Sequence, residues 1–176
     1  MPIKFWNDKK DIKFKNAYFN KFPGVWHHGD FAEKTKKNNF IIYGRSDATL
    51  NPGGVRLGTA EIYSVLERFP EIDEGLAIGQ SWNNDIRIVL FLVLKQNIEL
   101  SEKLKNEIIK GIRKFASPRH IPSKLIQVED IPRTKNGKLV ELAVKNVIEG
   151  NKIKNIEAIA NPSVLNIFKN IRELKE

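Results

Sequence analysis

The sequence has no cysteine, which excludes disulfides and thiolate metal sites and suits a chain kept in a reducing compartment. It holds one methionine and three histidines, two of them adjacent at His27 and His28. No run approaches the roughly 20 apolar residues of a membrane-spanning helix. The opening Met1-Pro2-Ile3-Lys4-Phe5-Trp6 lacks the order of a signal peptide. These absences point to a cytoplasmic chain with no membrane partner. Acidic residues are the minority charge, 21 against 30 lysines and arginines, for a net +9 and an isoelectric point near 9.7. The basic excess is spread along the chain in no dense block, so no nucleic-acid partner is expected. What is present is 41% apolar residues over 176 positions, enough to fill the core of one good-sized domain or two small ones.

The unusual chemistry is concentrated at residues 43–63. Arg45 and Asp47 lie in a turn-forming context, Asn51-Pro52-Gly53-Gly54 is a second turn, and Arg56 follows at once. Two guanidiniums flanking a glycine turn suit a phosphate, because each planar fork can hold two oxygens while glycine amides approach closely. The same residues also suit a plain hairpin with solvated arginines. Spacing alone leaves both open.

Around that stretch the pattern reads as α+β. Residues 1–20 carry aromatic anchors (Phe5, Trp6, Phe14, Tyr18, Phe19) without the periodicity of an independent core. Short strands are expected at 25–28, 31–35 and 40–43, the last two joined by Lys36-Lys37-Asn38-Asn39. A helix is expected over 59–69, with Ile62, Val65, Leu66 and Phe69 at helical spacing and Pro70 ending it. Strands over 74–82 and 86–94 follow, turned at Asn83-Asn84-Asp85, and the second is apolar enough to be central. Ser101 should cap a helix whose Leu104, Ile108, Ile109, Ile112 and Phe115 form one buried stripe, slightly weakened by Gly111. Pro118 and Pro122 force an extended passage into a strand at 124–128. Helices are expected over 139–148, stopped by Gly150, and after Pro162, with Val164, Leu165 and Phe168 on one face. Two helices against a three-stranded sheet make a small α+β domain.

Three motifs, in order and spacing, resemble one family. Gly44-Arg45-Ser46-Asp47, then Gly54-Val55-Arg56 and Ala60-Glu61-Ile62, is similar to the core motif of the adenylate-forming enzymes, which include acyl-CoA synthetases, peptide-synthetase adenylation domains and luciferases. Upstream, Trp26-His27-His28-Gly29-Asp30 resembles the family's Gly-Asp motif. Downstream, Pro132-Arg133-Thr134-Lys135-Asn136-Gly137-Lys138 resembles its catalytic-lysine motif. The finer texture resembles the branch that activates acetoacetate: residues 21–26, Asn51-Pro52-Gly53-Gly54, Ala116-Ser117-Pro118-Arg119-His120 and residues 141–146.

The resemblance implies ATP-dependent ligation of acetoacetate to CoA through an acyl-adenylate. It assigns Lys138 to catalysis, Asp30, Arg45 and Arg56 to ATP and AMP, Gly54 and Arg113 to CoA, and Asp47 to a hinge. Residues 1–46 would close a large N-terminal domain, 47–150 would be the mobile small domain, and 151–176 a helical extension. The family's glycine-rich phosphate loop and acyl pocket are not in this sequence, so the rest of the large domain is an implied partner. Magnesium would arrive with ATP on ligands outside this chain; Phe69-Pro70 stands where many relatives have His-Pro, so no metal is expected there. ATP and CoA as substrates account for the basic charge. A synthetase for another short acid, and a binding module without catalysis, are the other readings open.

Overall fold

Two units divide the chain, residues 1–30 and 31–176, in a computed structural model that describes residues 2–46, 48–153 and 155–176. In the first unit a short helix, α1 (Ile12–Tyr18), is closed at its start by Asp8, whose carboxylate accepts the backbone N–H groups of Lys13 and Phe14 at 2.9 and 2.8 Å. The aromatic anchors meet edge to face: Phe14 lies 5.4 Å from Tyr18 and 5.8 Å from Phe5 between ring centroids. The strand expected at 25–28 does not form. Val25 N–H turns back to the Phe22 carbonyl and His27 N–H goes to the Tyr18 carbonyl, so these donors are spent locally instead of on a ladder.

Strands β1 (Asp30–Lys34) and β2 (Phe40–Arg45) make a two-stranded sheet. Its turn is closed by Thr35 N–H on the Asn39 carbonyl at 2.8 Å. Phe40, Ile41 and Ile42 are exposed in succession on both faces of β2, an apolar ribbon that two strands cannot cover by themselves. Leu50 and Leu57 then bridge antiparallel across the Pro52–Gly54 turn.

Helix α2 (Thr59–Leu66) buries Ile62, Val65 and Leu66. It ends before Phe69 because Arg68 and Phe69 bond three residues back and Pro70 has no N–H to give. Strands β3 (Ile72–Trp82) and β4 (Asp85–Leu94) pair antiparallel with Trp82 opposite Asp85. That leaves a two-residue loop, Asn83-Asn84, with φ of +48° and +61°, the two left-handed positions a type I′ turn needs. Helix α3 (Glu102–Phe115) is capped by Ser101, whose hydroxyl accepts Leu104 N–H at 3.2 Å. Strand β5 (Lys124–Gln127) adds parallel to β4, so β4 is central in the order β3-β4-β5. Helix α4 (Glu141–Ile148) and a tail of 3-10 turns complete the unit.

Both faces of this sheet are covered, which is why β4 reads as a continuous apolar run. Ile88, Leu90 and Leu92 pack with α2 and α3; Val89 and Phe91 point the other way, onto Val144 of α4 and Ile159, Leu165 and Phe168 of the tail. Leu104, Ile108 and Ile112 are the buried stripe of α3, but Phe115 is not part of it. Phe115 is 49% exposed, with the Arg68 guanidinium 4.2 Å and the Lys114 ammonium 4.9 Å from its ring, so two cations cover it instead of the core. Gly111 has a packing reason: a methyl group there would fall 2.9 Å from Phe69 Cζ, so its absence lets α3 close on the end of α2. The last helix expected from Val164, Leu165 and Phe168 is a 3-10 segment, Pro162–Phe168. Buried residues three apart, Leu165 and Phe168, fit three residues per turn as well as 3.6.

Candidate functional site

Lys138 closes a tight turn that leaves the core at Ile131, which is fully buried. Thr134 N–H donates to the Lys138 carbonyl at 2.8 Å, Lys138 N–H to Thr134 Oγ1 at 3.0 Å, and Gly137 N–H to the Thr134 carbonyl at 2.8 Å. Gly137 has φ +75° with open space around it, so glycine is required there by backbone conformation and not by crowding. Arg133 stiffens the turn from beside it, donating from Nη1 to the Gly137 carbonyl at 3.1 Å and pairing with the Glu74 carboxylate. The turn is a hydrogen-bonded hairpin with two exposed lysines, Lys135 and Lys138. Among the described residues, no carboxylate pairs with the Lys138 ammonium. A rigid base under an unpaired cation is what a substrate anion requires, because no existing ion pair must be broken to bind it.

Arg45, at the end of β2, shares a cavity of about 400 Å³ with Thr134 at the base of this loop and with Ala48, Leu139, Glu141 and Asn146, and Lys138 itself does not line that cavity. Arg56, Gly54 and Arg113 do not line it. Arg56 is exposed with its guanidinium 6.0 Å from the Phe31 ring. Gly54 ends a turn held by Asp85, whose carboxylate oxygens accept Gly53 N–H at 3.0 and 3.1 Å. Arg113 is exposed in the last turn of α3. In the first unit, the Asp30 carboxylate is hydrogen-bonded to His28 Nδ1. Asp47 lies outside the described residues. Among the described residues, no group of three or more metal-ligating side chains could hold a metal ion, and no helix is long and apolar enough to cross a membrane.

Sequence reasoning missed two buried links. His120 is 4% exposed, with Nε2 at 2.8 Å from Glu61 Oε2 and Nδ1 at 2.8 Å from Ser117 Oγ. Glu61 and His120 belong to two separate stretches noted only for their likeness to a family; in space they tie the start of α2 to the passage between α3 and β5. The second link is Tyr63. Its hydroxyl donates to Glu141 Oε1 at 3.0 Å and accepts Ala77 N–H at 3.2 Å, fastening the helix that follows Lys138 to α2 and β3.

Burial first, and then the negative charge of Glu141, push the Tyr63 phenol well above its usual range. A raised acid pKa contributes stability that is complete below the unfolded value of 10.0 and is lost as pH rises beyond it. Tyr63→Phe is therefore expected to cost about 1–3 kcal/mol at neutral pH, since it strands Ala77 N–H and a Glu141 oxygen. It should also flatten the loss of stability above pH 10. Denaturant unfolding of both proteins between pH 7 and 11 checks this; parallel pH curves would show that Tyr63 is not the titrating group.

Residues 61–138 match the family model of the AMP-binding enzyme C-terminal domain. The chain is 56% identical to an acetoacetyl-coenzyme A synthetase of Rhizobium meliloti, with 99% of this chain and 27% of that protein aligned. It is 44% identical to the acetoacetyl-CoA synthetase of Gallus gallus, covering 99% of this chain and 26% of that one. The solved acetoacetyl-CoA synthetase of Streptomyces lividans superimposes with a TM-score of 0.90 at 38% identity, over 100% of this chain and 27% of that chain. This chain thus spans about a quarter of the length of the relatives it matches.

Proposed function

We infer, from a chain whose residues 61–138 belong to the AMP-binding enzyme C-terminal domain family and whose length is homologous throughout to part of acetoacetyl-CoA synthetases, that it serves as the C-terminal part of such a synthetase. In the first half-reaction a carboxylate oxygen of acetoacetate attacks the α-phosphorus of ATP and pyrophosphate leaves. In the second, the thiol sulfur of CoA attacks the acyl carbon, the acyl C–O bond breaks, and AMP leaves with that electron pair while the thiol proton is released. The observation that carries the reading is the stiff, unpaired presentation of Lys138, suited to bridging two anions and offsetting the charge that grows between them.

Asp30 accepts hydrogen bonds from the ribose hydroxyls, Arg45 lies beside the ribose, and Arg56 faces the α-phosphate. Residues 1–46 complete the large domain. Asp47 is the hinge about which 47–150, extended by 151–176, turn between the two half-reactions. After rotation Gly54 admits the pantetheine arm and Arg113 meets the CoA nucleotide. This alternation accounts for the two CoA residues, Gly54 and Arg113, lying outside the cavity that Arg45 shares with Thr134 of the lysine loop. Magnesium enters as the ATP complex, on ligands outside this chain. The enzyme works in the cytoplasm on small molecules, with the large domain as its protein partner.

The test is the complete enzyme, assayed for acetoacetate-dependent pyrophosphate release and CoA thioester formation against acetate and butyrate. Acetoacetate should be preferred, and the 176-residue chain alone should release no pyrophosphate. Turnover by the chain alone, or indifference to the acid, would overturn the reading.

A further inference from the structure

The turn that presents Lys138 is exposed from Lys135 to Lys138; its own hydrogen bonds fix its shape, while its place on the domain depends on contacts made outside the turn. Beside the Arg133–Glu74 pair, those contacts come from the tail. Lys135 N–H donates to the Ala158 carbonyl at 3.0 Å and Ala160 N–H to the Arg133 carbonyl at 2.8 Å, with Thr134 opposite Ile159. One side chain completes this short ladder. Asn161 Oδ1 accepts Arg133 N–H at 2.9 Å, while its Nδ2 donates to Asp130 Oδ2 at 3.1 Å and to the Ile131 carbonyl at 3.2 Å. Both amide hydrogens' nitrogen and the carbonyl oxygen are thereby engaged on three residues of the segment leading into the turn. Asn161 lies beyond the residues matched by the family model, which end at Lys138.

We propose that Asn161 is a positioning residue for adenylation: it clamps residues 130–133 to the tail and so fixes where the Lys138 ammonium is delivered. The proposal rests on the reading of Lys138 as the group that acts at the α-phosphate. Asn161 touches no substrate and acts through the backbone of Arg133. Its contribution is confined to the half-reaction in which Lys138 is in the site, because the turn leaves when the domain rotates. The tail itself is anchored elsewhere, by Leu165, Phe168 and Leu174 in the core, so removing the amide loosens the turn without releasing the tail.

The experiment compares Asn161→Ala and Lys138→Ala with the parent in the complete enzyme, timing pyrophosphate release and, separately, thioester formation from supplied acetoacetyl-adenylate. Hydrogen exchange at the Arg133 amide is measured alongside. For Asn161→Ala the expected result is about a tenfold fall in kcat for pyrophosphate release, the scale of a modest misplacement of a reacting group. The KM for acetoacetate and the rate of thioester formation should be unchanged, and Arg133 exchange should be faster. If Lys138→Ala slows adenylation but Asn161→Ala changes neither step, or slows both alike, the positioning role is overturned while the reading of Lys138 stands. If Lys138→Ala leaves pyrophosphate release untouched, the underlying reading falls, and the proposal with it.

Discussion

Lys138→Ala in the complete enzyme is expected to slow acetoacetate-dependent pyrophosphate release by roughly 10²- to 10³-fold, the scale for removing one preorganised electrostatic group. The size follows from geometry. The Thr134–Lys138 turn is locked by its own hydrogen bonds and by Arg133, so the ammonium is delivered with little reorganisation at the moment of reaction. Thioester formation from supplied acetoacetyl-adenylate should survive, because in the proposed mechanism the small domain turns away to admit CoA and takes Lys138 with it. Pyrophosphate release times the first step and thiol consumption the second. Equal loss of both would assign Lys138 to the integrity of the domain instead. Lys138→Arg is a useful companion: it keeps the charge but exchanges a compact ammonium for a broad planar fork, so it should recover little.

How much of this was legible in the sequence depends on the range over which each feature is encoded. The Asn83-Asn84 turn, the Ser101 cap and the central place of β4 are local signals, and each was read from neighbours in the chain. Phe115 shows where periodicity fails. It sits at the right spacing for the stripe of α3, but its surroundings are set by Arg68 on another element, which no helical count can see. Residues 25–28 show the same limit, since their hydrogen bonds go to Phe22 and Tyr18 and not to a partner strand.

The site divides in the same way. Lys138 and Arg45 were singled out through motifs that resemble a family. The residues that hold the loop were invisible because their bonds run between distant segments. Asn161, in Ala-Asn-Pro, reads as an ordinary turn, and Tyr63 reads as an interior position of α2. His120 and Glu61 carried a signal only as unexplained pieces of a family likeness, and their 2.8 Å contact gives that likeness a physical reason.

The largest effect on stability is expected at Phe168. Its side chain is completely buried, standing perpendicular to Phe91 with ring centroids 5.0 Å apart, and so joins the tail to the central strand of the sheet. Phe168→Ala removes that ring and leaves a cavity beside Phe91, at a cost of about 3–5 kcal/mol in unfolding free energy. Phe115→Ala is the control, because its half-exposed ring trades only cation contacts worth about 0.5–1 kcal/mol each. Denaturant unfolding of the chain should separate the two variants clearly, and a loss below about 1 kcal/mol at Phe168 would show that the tail does not belong to the cooperative core. The consequence reaches the chemistry, since the tail that Phe168 anchors is the one whose residues 158–161 hold the turn of Lys138. In the complete enzyme Phe168→Ala should therefore reduce adenylation more than thioester formation even at temperatures where the protein remains folded. Equal reduction of the two would mean that the tail supports the sheet but not the lysine.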